Sequence, residues 1–450
     1  MSEQRARMEL PLVPRPRGCE VPLTATQRGY LRTLRACAGQ AALSTRSSHL
    51  ALRIQGALQE EWLRESLQVL VRRHESLRTR IETTPGPARQ VIVASQPLHF
   101  DVVRIGGGSA ADASAAMERA SRDFLNEPLD VSVGPLFAAR LFSHSQEEHV
   151  LVLALDHAIT DVASNWILLR ELCSLYAQAA RGQQPSLPGP SIHYADYAVW
   201  QQRTEQAWMD THAAYWTQRL RGCAPIHLPV EASGARADPP DAAACAVFQI
   251  PLGVTLSDRL RALAQQQKCL LSVVVLAVYA AVMARWCERE DVIVAFVSHG
   301  RHRRELQSMT GFLANTLHLR LDVNPRDSFH ALLERTKAEL RGAYEHQDLD
   351  RVRELLPHCD TELAFNWVAA PAGDSRICLA GLTIEPRVLE MPWSRRYFAM
   401  FQDTPSGIVA RAWCQPDHSL PAAVEHFGDL LRRYAEHCSR QPHTQLAAAM

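Results

Sequence analysis

At 450 residues, with 47% hydrophobic and 21% charged side chains, the chain is long enough for two ordinary domains and too apolar to be disordered. Its 48 Lys and Arg balance its 48 Asp and Glu, so no net field draws it to nucleic acid or an anionic membrane. Eleven cysteines are dispersed from Cys19 to Cys438 without a CxxC pair, a pattern of reduced thiols. The opening residues lack the apolar core of a signal peptide, and the longest apolar run, 270–286, is short for a membrane span and carries Ser272 and Arg285. The expected location is cytoplasmic.

In chain order, the Pro- and Arg-rich stretch 1–22 predicts an arm or a loosely docked segment. Trp62, Leu63, Leu67, Leu70 and Val71 recur at helical spacing over 59–73. Residues 89–94 read as a strand, 105–110 (IGGGSA) as a turn and 114–124 as a helix. Two short apolar runs, 136–142 and 149–155, have strand length and precede the polar stretch DHAITD. Trp166, Leu169, Leu172, Cys173 and Tyr176 then mark one face of a helix. Pro and Gly make 181–190 the best linker, with a second at 232–243. Residues 256–286 predict a helical, partly buried run, 292–297 a strand and 328–344 another helix. Alternating strands and helices in both halves predict a mixed α/β architecture of two lobes.

The densest polar cluster behind a buried strand is Asp156-His157-Ala158-Ile159-Thr160-Asp161. A strand end is rigid and lies where a cleft can open. A histidine there can take a proton from a nucleophile near neutral pH or orient it. Asp161 stands where the next helix should begin, placed to cap backbone N–H groups or to pair with a cation. Taken alone, the simpler reading makes both aspartates caps and His157 a loop residue.

Five motifs alter that reading. Leu23-Thr24-Ala25-Thr26-Gln27-Arg28, the RHESLRTR stretch from Arg73 to Arg80, YADYAVW from Tyr194 to Trp200, GFLANT from Gly311 to Thr316, and His346-Gln347-Asp348 resemble, in the same order, motifs of the condensation domains of nonribosomal peptide synthetases. The resemblance implies two chloramphenicol acetyltransferase-like lobes forming a V with a central tunnel. It gives an N-terminal lobe at 23–180, a linker at 181–193 and a C-terminal lobe at 194–450. It also implies an acyl transfer: a thioester held on the phosphopantetheine arm of an acyl or peptidyl carrier protein passes to a small amine or alcohol, giving an amide or an ester. No cofactor or metal belongs to the domain itself.

The core motif of that family is HHxxxDG. Here Asp156 replaces the first histidine, His157 is the second and the expected base or positioning residue, Asp161 is the aspartate, and Val162 replaces the glycine. Ser164 keeps a serine often found three residues after that aspartate. The family's aspartate is structural and salt-bridged to an arginine, for which Arg301 is the candidate. Gly311, Asn315 and Trp166 are expected near the tunnel. Asp156 either supports the loop by hydrogen bonds, raises the basicity of His157, or marks a degenerate site. Val162 adds a β-branched side chain where glycine permits close approach, and so would narrow the tunnel.

With no adenylation, carrier or thioesterase region visible, the expectation is either a freestanding enzyme acting in trans or an excised domain. Two other readings stand beside acyl transfer: a catalytically silent module that recruits a partner enzyme or carrier protein, and heterocyclization, because Asp156, Asp161 and Ser164 satisfy DxxxxDxxS. His144, His149, His299 and His302 lack the companion Cys or carboxylate spacing of a zinc site.

Overall fold

The computed structural model describes residues 10–16, 18–36, 48–83, 86–107, 109–127, 129–224, 226, 228, 246–347, 363–368, 379–387, 397–414 and 420–449. The second linker expected at 232–243 and Asp348 lie outside them. Two compact units form: residues 1–208, 301–314 and 373–391, and residues 209–300, 315–372 and 392–450.

In the first unit β1 (Val21–Pro22), β3 (Thr79–Glu82) and β4 (Arg89–Ile92) make a small antiparallel sheet in the order β1-β4-β3. The main sheet contains β2 (Ser48–Gln55), β5 (Phe100–Arg104), β6 (Phe137–Ser143), β7 (Glu148–Leu155) and β12 (Thr383–Arg387), ordered β12-β2-β7-β6-β5. β7 is central and antiparallel to both neighbours, and its residues are buried to either side. Leu151, Leu153 and Leu155 meet α2 (Glu60–Arg73) and α4 (Val162–Ala180) through Leu63, Leu67, Leu70, Leu168, Leu169 and Leu172. Val152 and Ala154 face the other way, onto Met117, Phe124 and Leu125 of α3 (Ala110–Asn126). Period-two alternation thus places one strand between two helical layers, which makes its end a rigid support.

Three expectations for this unit change. Helix α3 starts at Ala110, within the predicted turn and before 114, because Ser109 and Asp112 close a reciprocal capping box. The opening arm is pinned where it is described. Leu12 is buried with Tyr194, Tyr197 and Trp200, and the Trp200 indole N–H donates to the Leu10 carbonyl at 2.9 Å. Arg15 pairs with Asp196 and Glu75, each at 2.9 Å. The unit also reaches past the expected boundary: 181–193 is irregular, but the chain remains in the first unit through Trp208 and returns to it at 301–314 and 373–391. The reason is packing: Tyr194, Tyr197 and Trp200 on α5 (Tyr194–Arg219) share a core with Leu306, Met309 and Leu313.

The second unit carries a six-stranded sheet of β8 (Ala246–Pro251), β9 (Asp291–Ser298), β10 (Asn315–Asp322), β11 (Ala364–Val368), β13 (Tyr397–Thr404) and β14 (Gly407–Cys414), ordered β10-β9-β11-β13-β14-β8. The helical run expected over 256–286 consists of two helices, α6 (Val254–Gln266) and α7 (Leu271–Trp286), bent by 111°. Lys268 between them takes a positive φ of 50°, which no helix interior accepts. Every residue of α7 from Val273 to Ala284 is buried. Among the described residues no single helix is long and apolar enough to cross a membrane. Among the described residues Cys19, Cys173, Cys269, Cys287 and Cys438 are free, in line with the dispersed spacing, whereas Cys223 is disulfide-bonded. Linear spacing does not report which cysteines meet in space.

α8 (Phe329–Glu345) ends at His346, whose Nδ1 lies 2.5 Å from Nδ1 of His212. The Trp216 indole N–H donates to the His346 carbonyl at 2.9 Å, and the Tyr215 ring stacks on the imidazole at 3.9 Å. Burial, and then the proximity of His346, push His212 down to about 4; burial alone does the same for His49 on β2. Both fall below the ordinary value of 6.5, so the fold favours their neutral forms. The stability they contribute is complete above pH 6.5 and is lost as the pH falls toward about 4. Thermal unfolding followed between these limits is expected to show a falling midpoint, with a shallower fall in His212→Gln.

Candidate active site

The site is built where β7 ends. The backbone N–H of Asp156 donates to the Leu136 carbonyl at 2.9 Å, continuing the strand pairing by one residue. Its carboxylate Oδ1 then accepts the Ala158 N–H at 2.7 Å, and the Ile159 N–H donates to its carbonyl at 3.1 Å, closing a tight turn. His157 sits on that turn, partly exposed, with Nδ1 2.8 Å from the Thr160 carbonyl. A carbonyl only accepts, so Nδ1 carries the proton and, in the neutral ring, Nε2 holds the lone pair. The imidazole lies 4.0 Å from the Phe312 ring at an interplanar angle of 32°, and 6.1 Å from Tyr30.

α1 (Ala25–Ala36) grips the same turn. Thr24 and Gln27 form a capping box: the Thr24 N–H donates to Oε1 of Gln27 at 3.0 Å, and the Gln27 N–H to the Thr24 hydroxyl at 3.2 Å. Nε2 of Gln27 donates to the Ala158 carbonyl at 2.8 Å. The Thr24 hydroxyl is 2.8 Å from that of Tyr194, which donates to the Phe312 carbonyl at 2.8 Å. The opening motif therefore fixes both the His157 turn and the residue beneath the imidazole.

Asp161 is the N-cap of α4 and is 2% exposed. Its two oxygens accept from six donors: the Ser164 N–H and hydroxyl, both guanidinium ends of Arg301 at 2.8 and 2.9 Å, and the N–H groups of Leu313 and Ala314 at 3.0 Å. Burial alone would raise its pKa. The Arg301 charge and the donated hydrogen bonds outweigh this and hold the carboxyl below its ordinary range. Ser164 continues the network, since its hydroxyl accepts the Gly311 N–H at 3.0 Å and one Arg301 N–H at 2.8 Å. Gly311 has no room for a side chain; a Cβ there would lie 2.3 Å from the Tyr194 ring.

One further set of contacts holds the loop from the other side. His74 of the RHESLRTR stretch places Nδ1 3.0 Å from the Thr310 hydroxyl and Nε2 2.6 Å from Glu171. Burial pushes the Glu171 carboxyl up, but hydrogen bonds and charge from His74 and Arg73 bring it below the usual value.

Of the residues expected from sequence, Asp156, His157, Asp161, Ser164, Arg301 and Gly311 meet in this one network. Val162 takes the first position of α4 with negative φ and 42% exposure, so the backbone there needs no glycine. Trp166 packs on the core of the first unit, and Asn315 begins β10 in the second unit, opposite Ser298. Sequence reasoning missed Tyr30, Phe312, Thr160 and Thr310. Phe312 and Thr160 lie within the GFLANT and DHAITD stretches, and the T-x-x-Q pattern of Thr24 and Gln27 was a readable capping signal, whereas no local pattern marks Tyr30 or Thr310. Among the described residues no group of three or more His, Cys, Asp or Glu is placed to hold a metal ion.

The Condensation domain family matches residues 19–361, and the chain belongs to that family. It is 30% identical over 369 residues, 82% of its own length, to one component of the linear gramicidin synthase of Brevibacillus parabrevis, and it spans only 5% of that component. Among solved structures it resembles the X-domain from teicoplanin biosynthesis in complex with OxyB, with a TM-score of 0.80, 21% identity and 98% of each chain covered. It also resembles the first condensation domain of the CDA synthetase, with a TM-score of 0.78, 20% identity and coverage of 96% of this chain and 98% of that one. The fold is thus the chloramphenicol acetyltransferase-like α/β fold of condensation domains.

Removing one partner of the buried Asp161–Arg301 pair leaves an uncompensated charge, which costs about 3–5 kcal/mol. Urea unfolding of Arg301→Ala is expected to show a loss of that order. Arg301→Lys should recover only part of it, because an ammonium cannot present the two-pronged fork.

Proposed function

We propose that the chain is an acyltransferase of nonribosomal peptide or polyketide assembly. It would pass an acyl group, held as a thioester on the phosphopantetheine arm of a carrier protein, to an amine or hydroxyl, with His157 as the base or positioning residue. The observation that carries this reading is the 2.8 Å contact between Nδ1 of His157 and the Thr160 carbonyl. The His157 Nδ1–H is committed to that carbonyl, so the neutral ring offers a lone pair on Nε2 from a fixed orientation. A thioester is already activated, and an unprotonated amine needs mainly positioning and the removal of one proton. A hydroxyl is the weaker nucleophile and gains more from the base.

A second reading, a silent module that recruits a partner enzyme or carrier protein, draws support from the similarity to the X-domain bound to OxyB and from the Asp156 and Val162 departures. Heterocyclization through DxxxxDxxS draws less. Asp161 and Ser164 are engaged with Arg301 and the 311–314 loop, which suits a scaffold more than a reacting group.

The test uses a carrier loaded with an acyl-phosphopantetheine, a panel of amines and alcohols, and intact-mass detection. His157→Ala is expected to lower transfer by about 10²–10⁴. The loss should be larger for alcohols than for amines, with the unfolding midpoint little changed. Carrier or partner binding without transfer, in both native and variant chains, would establish the recruitment module instead.

A further inference from the structure

We propose that Tyr30 and Asp156 form a positioning pair that locks the His157 turn through its hydrogen bonds, where family members carry a histidine at position 156. This rests on the reading of His157 given above. Asp156 is fully buried, and its two carboxylate oxygens have separate tasks. Oδ1 takes the Ala158 N–H at 2.7 Å, and Oδ2 takes the Tyr30 hydroxyl at 3.0 Å. Tyr30 follows Gln27 by three residues, so both project from the same face of α1. From that face Gln27 holds the Ala158 carbonyl directly, at 2.8 Å, while Tyr30 holds the Ala158 N–H through Asp156. The residue after His157 is thereby fixed at both its donor and its acceptor, each time by α1.

The same hydroxyl bond fixes the Tyr30 ring. That ring stands 6.1 Å from His157 and 6.1 Å from Phe312, edge-on to the latter at 87°, while His157 lies 4.0 Å from Phe312. The three rings form a cluster in which the imidazole has an aromatic neighbour on each of two sides. Anchoring Tyr30 at Asp156 limits the rotation of the imidazole as well as the path of its backbone. An asparagine at 156 separates the two possible roles: its amide oxygen still accepts the Ala158 N–H, its NH2 can donate to the Tyr30 oxygen, and the charge is gone.

The experiment compares the native chain with Tyr30→Phe, Asp156→Asn and Asp156→Ala. One arm is the carrier transfer assay, and the other is 15N NMR of the imidazole nitrogens across a pH titration, assigned with His157→Ala. One lost hydrogen bond corresponds to about 2- to 10-fold, so Tyr30→Phe is expected to lower kcat by that factor with KM little moved. Asp156→Ala should lower kcat further and raise the minor, Nε2-protonated tautomer of His157. Asp156→Asn should lose less than Asp156→Ala and keep the Nδ1-protonated tautomer and its titration midpoint. A midpoint displaced by about one unit in Asp156→Asn would overturn the proposal in favour of charge tuning. An unaltered tautomer and kcat in both Tyr30→Phe and Asp156→Ala would overturn it outright. If Asp156→Ala does not fold, the other two variants decide. If the native chain shows no His157-dependent transfer, the acyltransfer reading fails, and the NMR arm still decides whether Tyr30 and Asp156 set the imidazole.

Discussion

A carboxylate with 2% exposure and six hydrogen-bond donors organises the first unit. Asp161 caps α4, receives the Arg301 fork from 140 residues away, and takes the N–H groups of Leu313 and Ala314. Burying such a charge is costly unless every lone pair is used, and here both oxygens are heavily engaged. The constraint runs in both directions: the 301–314 segment cannot shift without exposing Asp161, and α4 cannot begin elsewhere without losing its cap. Because Asp161 lies four residues after His157, the histidine inherits this rigidity.

The His157 turn is held independently from α1. Gln27 reaches the Ala158 carbonyl, and the Thr24–Tyr194–Phe312 chain fixes the residue against which the imidazole lies. This accounts for an opening motif more than a hundred residues away from the site. It also accounts for the absence of side-chain space at Gly311, since Tyr194 must approach that backbone closely to reach Phe312. Asp156 departs from the family pattern in identity, yet it performs structural work by tying the Ala158 N–H to the Tyr30 hydroxyl. Val162 departs with less consequence for the backbone, because a first helical position accepts a β-branched residue.

The HQD stretch illustrates a different use of histidine. His346 closes α8 and meets His212, Tyr215 and Trp216 within the second unit. The two imidazole nitrogens lie 2.5 Å apart, and burial, with the proximity of His346, favours the neutral His212 ring and penalises acid. That penalty bears on stability, whereas the role proposed for His157 is chemical.

Much of this was legible in the linear chain. The strands behind DHAITD, the helix after it, the cap at Asp161 and the position of His157 follow from periodicity and from the types of residue at element ends, because these are local properties. Arg301 was nominated from a family resemblance and not from its surroundings, since nothing near it in sequence announces a partner 140 residues away. The sequence alone determined the α/β class and the motif order, and it nominated the histidine. The tertiary structure alone decided that the arm docks, that α5 starts in the first unit, that the 256–286 run breaks into two helices, and that Tyr30, Phe312 and Thr310 surround the site. The physical reason is the same in each case: local patterns report which face of an element is apolar, whereas hydrogen-bond partners distant in sequence are chosen by the geometry of the assembled core.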